Sequence, residues 1–178
     1  MTLNIIYDER NYERYDPLMQ TLSEQGITDF VLHPATVDVS SVVRSINLSH
    51  KKIVQQAKDS GLKECIIGED DLMFTRPGAW QYFLDNKPKT FDIYLWGTYV
   101  MPLEQKIICG FQLYIVHESF YDKFLSVNEN LHIDSGISDM GGNFKFCYPF
   151  PALQRPSFSR NNSSVVDYNV ILDKKDIY

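Results

Sequence analysis

Short apolar runs alternate with helically spaced apolar positions over the first two thirds of the chain. Leu3 to Tyr7 is apolar and partly β-branched and stops at Asp8-Glu9-Arg10, the pattern of a buried strand that ends in a polar loop. Tyr15, Leu18, Met19 and Leu22 then fall at helical spacing between Tyr12 and Gln25, and Gly26 supplies a stop. Phe30-Val31-Leu32 predicts a second strand before Pro34. Between Val39 and Lys58 the apolar positions predict one interrupted helix or two consecutive ones, with Ser49 as N-cap of the second and Gly61 at its end.

Glu64 to Gly68 is an apolar run too short for a helix, followed at once by Glu69-Asp70-Asp71. Thr75 to Pro77 turns the chain, and Ala79 to Leu84 predicts a short helix closed by Asn86 and Pro88. Phe91 to Trp96 predicts a strand, Ile107 to Val116 a long strand broken or bulged at Gly110, and Ser119 to Leu125 a short helix. Alternating strands and helices predict an α/β sandwich with a largely parallel sheet, whose ligands bind beyond the carboxyl ends of the strands. The last third is rich in Gly, Pro and small polar residues and predicts extended loops with little regular structure.

Composition narrows the function. The 178 residues suit one domain, and the 44% apolar and 22% charged content is that of a globular chain. A formal charge of −6 disfavours nucleic acid as a partner. An anionic ligand then needs a local basic pocket or a divalent cation. The three cysteines, Cys65, Cys109 and Cys147, are widely spaced in apolar or aromatic surroundings, so they read as reduced, buried thiols and point to the cytoplasm. The amino terminus lacks the apolar core of a signal peptide and no run reaches the length of a membrane span, which leaves room for peripheral membrane contact only.

Candidate chemistry centres on Glu69-Asp70-Asp71 at the end of a buried strand. Such a cluster is either a solvated loop that caps the next helix or a site for a hard cation, Mg²⁺ or Mn²⁺, which takes carboxylate oxygens together with substrate phosphates. In an extended segment Glu69 and Asp71 share a face and form the metal pair, while Asp70 points the other way and orients the loop.

Leu48-Ser49-His50-Lys51-Lys52-Ile53-Val54-Gln55-Gln56-Ala57, followed by Ile66-Ile67-Gly68-Glu69-Asp70-Asp71, resembles the Ser-His segment, helix and Glu-Asp-Asp strand end of the family 25 glycosyltransferases. That family includes bacterial lipopolysaccharide glycosyltransferases and the collagen galactosyltransferase domain. The opening strand with Arg10 and Arg14, the run Gly110 to Val116, Asp134 and the segment Pro149 to Gln154 also resemble parts of the family. The resemblance implies a GT-A type sandwich and inverting transfer of a hexose from a nucleotide-sugar, usually UDP-linked, to a hydroxyl of a glycan acceptor, as in cell-surface polysaccharide or lipopolysaccharide synthesis. It implies a single minimal domain over 1–178, with the donor part at about 1–116 and a loop-rich acceptor side at about 117–178.

Residue chemistry gives each position a role beside a bland alternative. A cation held by Asp71 and Glu69 would act as a Lewis acid on the diphosphate. Arg10 and Arg14 are either phosphate contacts or ordinary exposed arginines. Ser49 and His50 sit near the donor loop, where His50 packs and hydrogen-bonds. Asp134, in His132-Ile133-Asp134-Ser135-Gly136, is either the base for the acceptor hydroxyl or a helix cap, and His132 is a weaker metal-ligand candidate. Trp96-Gly97-Thr98-Tyr99 follows a strand and is a candidate lining of the acceptor cleft. Two further function classes remain open on these residues: a noncatalytic nucleotide-sugar or glycan-binding module, and a metal-dependent phosphoesterase or nucleotidyltransferase.

Overall fold

The computed structural model describes residues 1–105 and 107–178. Its centre is a six-stranded sheet in the order β2-β1-β3-β6-β5-β7. These strands are β1 (Leu3–Tyr7), β2 (Phe30–Pro34), β3 (Glu64–Glu69), β5 (Ile93–Leu95), β6 (Leu113–His117) and β7 (Phe144–Phe146). All pairings are parallel except those of β6, which runs antiparallel to both β3 and β5. The sheet is therefore mixed but mostly parallel.

Alternation along the strands sends side chains into two separate cores, which is why the strands read as continuous apolar runs. Ile66, Tyr94, Leu113 and Ile115 face one layer with Leu18 and Leu22 of α1 (Tyr15–Glu24) and Phe83 of α3 (Ala79–Asp85). Cys65, Ile67, Ile93, Leu95, Tyr114 and Val116 face the other. There they meet Ile53, Val54 and Ala57 of α2 (Val42–Asp59), Phe124 of α4 (Tyr121–Ser126), and Ile133 and Ile137 of α5 (Ile133–Met140).

Several local expectations change. The segment read as an interrupted helix is one continuous helix, α2, capped by Ser41, whose Oγ accepts from the Arg44 amide. Ser49 lies in mid-helix instead, and its hydroxyl donates back to the Ser45 carbonyl at 2.7 Å. The long strand expected over Ile107 to Val116 is confined to Leu113–His117 among the described residues. The final third holds α5 and four short strands. Of these, β8 (Ala152–Gln154) pairs antiparallel with β4 (Leu72–Phe74), and β9 (Ser157–Ser159) pairs with β10 (Ser164–Val166). No helix among the described residues is long and apolar enough to cross a membrane.

Candidate functional site

The strand order turns outward in both directions from β1, to β2 on one side and β3 on the other. A crevice forms at the carboxyl ends of strands at such a point. Here it is a cavity of about 160 Å³ bordered by Ile6 and Asp8 after β1, Ala35 and Thr36 after β2, and Glu69 to Asp71 after β3. Arg10, Arg14, Ser49 and His50 complete the walls, so the residues predicted for the metal and the donor all meet in one place.

The carboxylates do not divide as an extended strand requires. β3 ends at Glu69, and Asp70 and Asp71 form the turn into β4, so the strand alternation stops one residue too early to pair Glu69 with Asp71. Asp70 and Asp71 instead converge on Arg14, whose Nη1 lies 2.6 Å from Asp70 Oδ1 and 3.1 Å from Asp71 Oδ2. Arg14 Nη2 donates to the Phe158 carbonyl at 2.8 Å, tying the β9–β10 hairpin to this cluster. Asp70 Oδ2 accepts from the Asp8 amide at 2.8 Å, which joins the ends of β1 and β3. Glu69 turns to His50, whose Nε2 lies 3.0 Å from Glu69 Oε1. With Nε2–H donating to that carboxylate, His50 Nδ1 is left to accept from the hydroxyl of buried Tyr114 at 2.9 Å.

Arg10 forks onto Asp8 through Nε at 2.7 Å and Nη2 at 2.8 Å at the rim of the cavity. Arg160, which sequence reasoning missed, joins them there. Its Nη2 donates to the Arg10 carbonyl at 3.0 Å, and its Nε stands 3.3 Å from Asp8 Oδ2. Ser49 Oγ accepts from the Thr36 amide at 2.8 Å and so pins the loop after β2 against α2.

A second cavity, about 170 Å³, adjoins the first and shares Ile46, Glu69, Gln154, Ser159 and Asn161 with it. Asp134 and His132 border this one, together with Tyr99, Gln112 and Tyr168. Asp134 lies in the first turn of α5 and not in a loop as expected. Its Oδ2 accepts from the Gly110 amide at 3.1 Å and its Oδ1 from the Ser135 amide at 2.7 Å. Of the aromatic candidates, Tyr99 borders the second cavity, whereas Trp96 is fully buried in the core. A third cavity, about 340 Å³ and bordered by Glu24, Phe74, Arg76 and Arg155, takes in none of the predicted residues.

Four carboxylates, Asp8, Glu69, Asp70 and Asp71, against three guanidiniums, Arg10, Arg14 and Arg160, leave the first cavity with a small excess of negative charge. Burial raises the Asp71 carboxyl to about 7, the neighbouring Glu69 charge adds to the rise, and Arg14 opposes it. Asp70 is raised as well, again by burial first and against the pull of Arg14. Among the described residues no group of three or more His, Cys, Asp or Glu side chains is gathered for a metal ion. Yet Asp71 Oδ1 is buried without any hydrogen-bond partner among the described residues. That orphaned oxygen fits a hard divalent cation that draws only one or two ligands from protein, Asp71 among them, and the rest from phosphates and water.

The raised Asp71 carboxyl sets a pH dependence. Between pH 3.8 and about 7 the folded protein binds more protons than the unfolded chain, so rising pH removes stability across that window. In chelator the thermal midpoint should fall by on the order of 5 °C from pH 5 to pH 8. His33, lowered by burial, contributes the opposite sign and the raised Asp70 the same one, so the comparison is made against Asp71→Asn, in which the fall should shrink. Equal slopes in the two proteins would refute this origin.

No protein-family model matches the sequence, and no curated protein sequence matches it. Solved structures place the fold: it is the α/β fold of GT-A glycosyltransferases, with the six-stranded, mostly parallel sheet described above. The chain is similar to a mannosyltransferase from Pyrobaculum calidifontis, determined in complex with GDP-Man and Mn²⁺. The TM-score is 0.59 and the identity 9%, over 91% of this chain and 58% of that one. It is also similar to the catalytic domain of Drosophila β1,4-galactosyltransferase 7 in complex with xylobiose, with a TM-score of 0.50 and 15% identity, over 92% of this chain and 68% of that one. The chain thus spans 58% of the mannosyltransferase's length. The likeness is one of fold class and lends no support to family 25 in particular.

Proposed function

We propose that the protein is a glycosyltransferase that moves a hexose from a nucleotide-sugar, UDP-linked, to a hydroxyl of a glycan acceptor, with inversion and the help of Mn²⁺ or Mg²⁺. The observation that carries this reading is the pair of adjoining cavities with Glu69 in their common wall, an acidic strand-end cluster in one and Asp134 in the other. The GT-A fold and the family 25 resemblance of Ser49-His50 and Glu69-Asp70-Asp71 point the same way.

In this reading the donor diphosphate enters the first cavity. A divalent cation, when bound, supplies Lewis-acid stabilisation of the departing nucleoside diphosphate. Asp71 Oδ1 and Glu69 would hold it, and His50 keeps Glu69 oriented. Arg14 offsets the charge of Asp70 and Asp71, while Arg10 and Arg160 stand at the rim as planar donors suited to phosphate oxygens. Asp134 takes the proton of the acceptor hydroxyl from the side opposite the donor. The proposal treats 1–178 as one domain. Gln154, Ser159 and Asn161 border the donor cavity as well as the acceptor one, so the donor side draws on the carboxyl third too. The proposal extends to a cytoplasmic location, on the reading of the three cysteines, and to cell-surface polysaccharide or lipopolysaccharide synthesis.

The test is donor binding and turnover by purified protein. A UDP-hexose at about 100 times its Kd with Mn²⁺ should add roughly 2.7 kcal/mol, or about 5–10 °C in thermal midpoint, and release UDP. Asp71→Asn should abolish both effects. Stabilisation without release over an acceptor panel would select a noncatalytic binding module. Release of phosphate or pyrophosphate in place of the nucleoside diphosphate would select a phosphoesterase or nucleotidyltransferase.

A further inference from the structure

A chain of side-chain amides leads from the donor cavity into the second one, and its direction is fixed from the donor end. Asp71 Oδ2 accepts from Gln154 Nε2 at 2.9 Å, and Gln154 Oε1 accepts from Gln112 Nε2 at 3.0 Å. A carboxylate that also accepts from Arg14 has only acceptor oxygens, so Gln154 must turn its nitrogen to Asp71 and its oxygen to Gln112. Gln112 then spends its nitrogen on Gln154 and has its carbonyl oxygen left over. That residue is 3% exposed, and its Oε1 has no hydrogen-bond partner among the described residues.

The unpaired oxygen lies over Gly110, where an added Cβ would stand 2.4 Å from it. The amide of the same glycine donates to Asp134 Oδ2. Gln112 and Asp134 therefore both border Gly110 in the wall of the second cavity, and both offer oxygens that accept hydrogen bonds. Two neighbouring acceptors suit a ligand with two adjacent hydroxyl donors and reject an anion. Tyr99 and Tyr168, with ring centroids 5.5 Å apart, add aromatic faces on the same cavity. A buried amide oxygen left unpaired is costly, and a ligand hydroxyl would relieve that cost.

We propose that Gln112 Oε1 receives the hydroxyl adjacent to the one deprotonated at Asp134, so that the acceptor is a sugar presenting a vicinal diol. This rests on the glycosyltransferase reading with Asp134 as base. Gln154 acts as a positioning residue, holding Gln112 carbonyl-first toward the acceptor because Asp71 holds Gln154 nitrogen-first.

The experiment offers methyl glycosides of the common hexoses as acceptor probes with UDP-hexose and Mn²⁺, followed by deoxy analogues of the best probe. Removing the hydroxyl next to the reacting one should lower kcat/KM by about 10- to 100-fold in the wild type, because the buried oxygen then stays unpaired. In Gln112→Met the ratio between glycoside and deoxy analogue should shrink to within about 3-fold, a readout that a general loss of activity would not move. Should the variant not fold, the wild-type deoxy series decides alone. Equal kcat/KM for glycoside and deoxy analogue in the wild type overturns the inference, as does an unchanged ratio in Gln112→Met. UDP release to water with no glycoside accelerating it overturns it too, while leaving the donor reading intact. Absence of donor binding and of UDP release would bring down the glycosyltransferase reading itself.

Discussion

Replacing Arg14 with methionine should destabilise the protein by about 3–5 kcal/mol at pH 7.5, a large share of the total for a domain of this size. The cause lies in what the substitution leaves behind. Asp70 and Asp71 are 5% and 3% exposed, and among the described residues Arg14 is the one cation paired with them. Methionine fills much the same space but leaves two adjacent carboxylates facing Glu69 without an opposing charge. The Phe158 carbonyl also loses its donor, so the β9–β10 hairpin comes loose from the floor of the cavity. Urea unfolding in chelator measures the loss. It should be smaller at pH 5, where the Asp71 carboxyl, raised to about 7, takes up a proton and part of the unpaired charge disappears. Arg14→Lys should recover only part, because a point charge cannot serve two carboxylates and a carbonyl at once. Adding Asp70→Asn and Asp71→Asn to Arg14→Met should recover most of it, since the penalty belongs to the unpaired charges and not to the lost contacts. A loss under about 1 kcal/mol for Arg14→Met would mean that water reaches these carboxylates.

That cluster was half legible in the sequence. A strand that ends in Glu69-Asp70-Asp71 is a local pattern, and so are the strand and arginines that begin the chain. How the three carboxylates divide was not, because it depends on where β3 stops and the turn begins, a one-residue matter that apolar periodicity does not resolve. Ser49 was misread for a related reason. Ser49 reads as the N-cap of a second helix, but it is buried in mid-helix beside buried Asn47 and His50, and Ser49 and His50 border the first cavity. Their polarity is spent on hydrogen bonds within the fold, between Asn47 and the Asn128 and Leu131 carbonyls and between His50 and both Glu69 and Tyr114, and not on a helix start.

The residues that sequence reasoning missed share a different cause. Gln154 reaches Asp71 because β8 pairs with β4 in a register that sets Gln154 opposite Leu72. Arg160 reaches Asp8 across the β9–β10 turn. Tyr114 reaches His50 from the neighbouring strand to Glu69. Each depends on long-range pairing that leaves no trace in local composition. The reversed direction of β6 was hidden in the same way, since a buried strand is apolar whichever way it runs. Helix α5 was hidden by Gly136 and by the serines around it, which are poor helix formers. The glycine is there for packing: a Cβ at that position would stand 2.5 Å from Val127 Cγ1.

Asp134→Asn should lower transfer to an acceptor by about 10²- to 10⁴-fold, the range of a lost general base, while donor-induced stabilisation survives. The two effects separate because Asp134 borders the second cavity only, whereas the acidic cluster borders the first. The substitution carries a local cost that must be read apart from the chemistry. Both Asp134 oxygens accept backbone N–H groups, from Gly110 and Ser135, and an asparagine must turn its NH₂ toward one of them. The discriminating readout is therefore the split between donor-induced stabilisation, which should survive, and acceptor-dependent transfer, which should not, and not the loss of rate alone. Glu69 is the rival, since it stands in the wall common to both cavities with His50 holding one of its oxygens. Were Glu69 the base, Glu69→Gln would abolish transfer while donor-induced stabilisation survives, and Asp134→Asn would keep activity within about 5-fold. With Asp134 as base, Glu69→Gln should instead weaken donor binding and its metal dependence. The donor side would then end at Glu69 and the acceptor side begin at Asp134, with the hexose crossing between them.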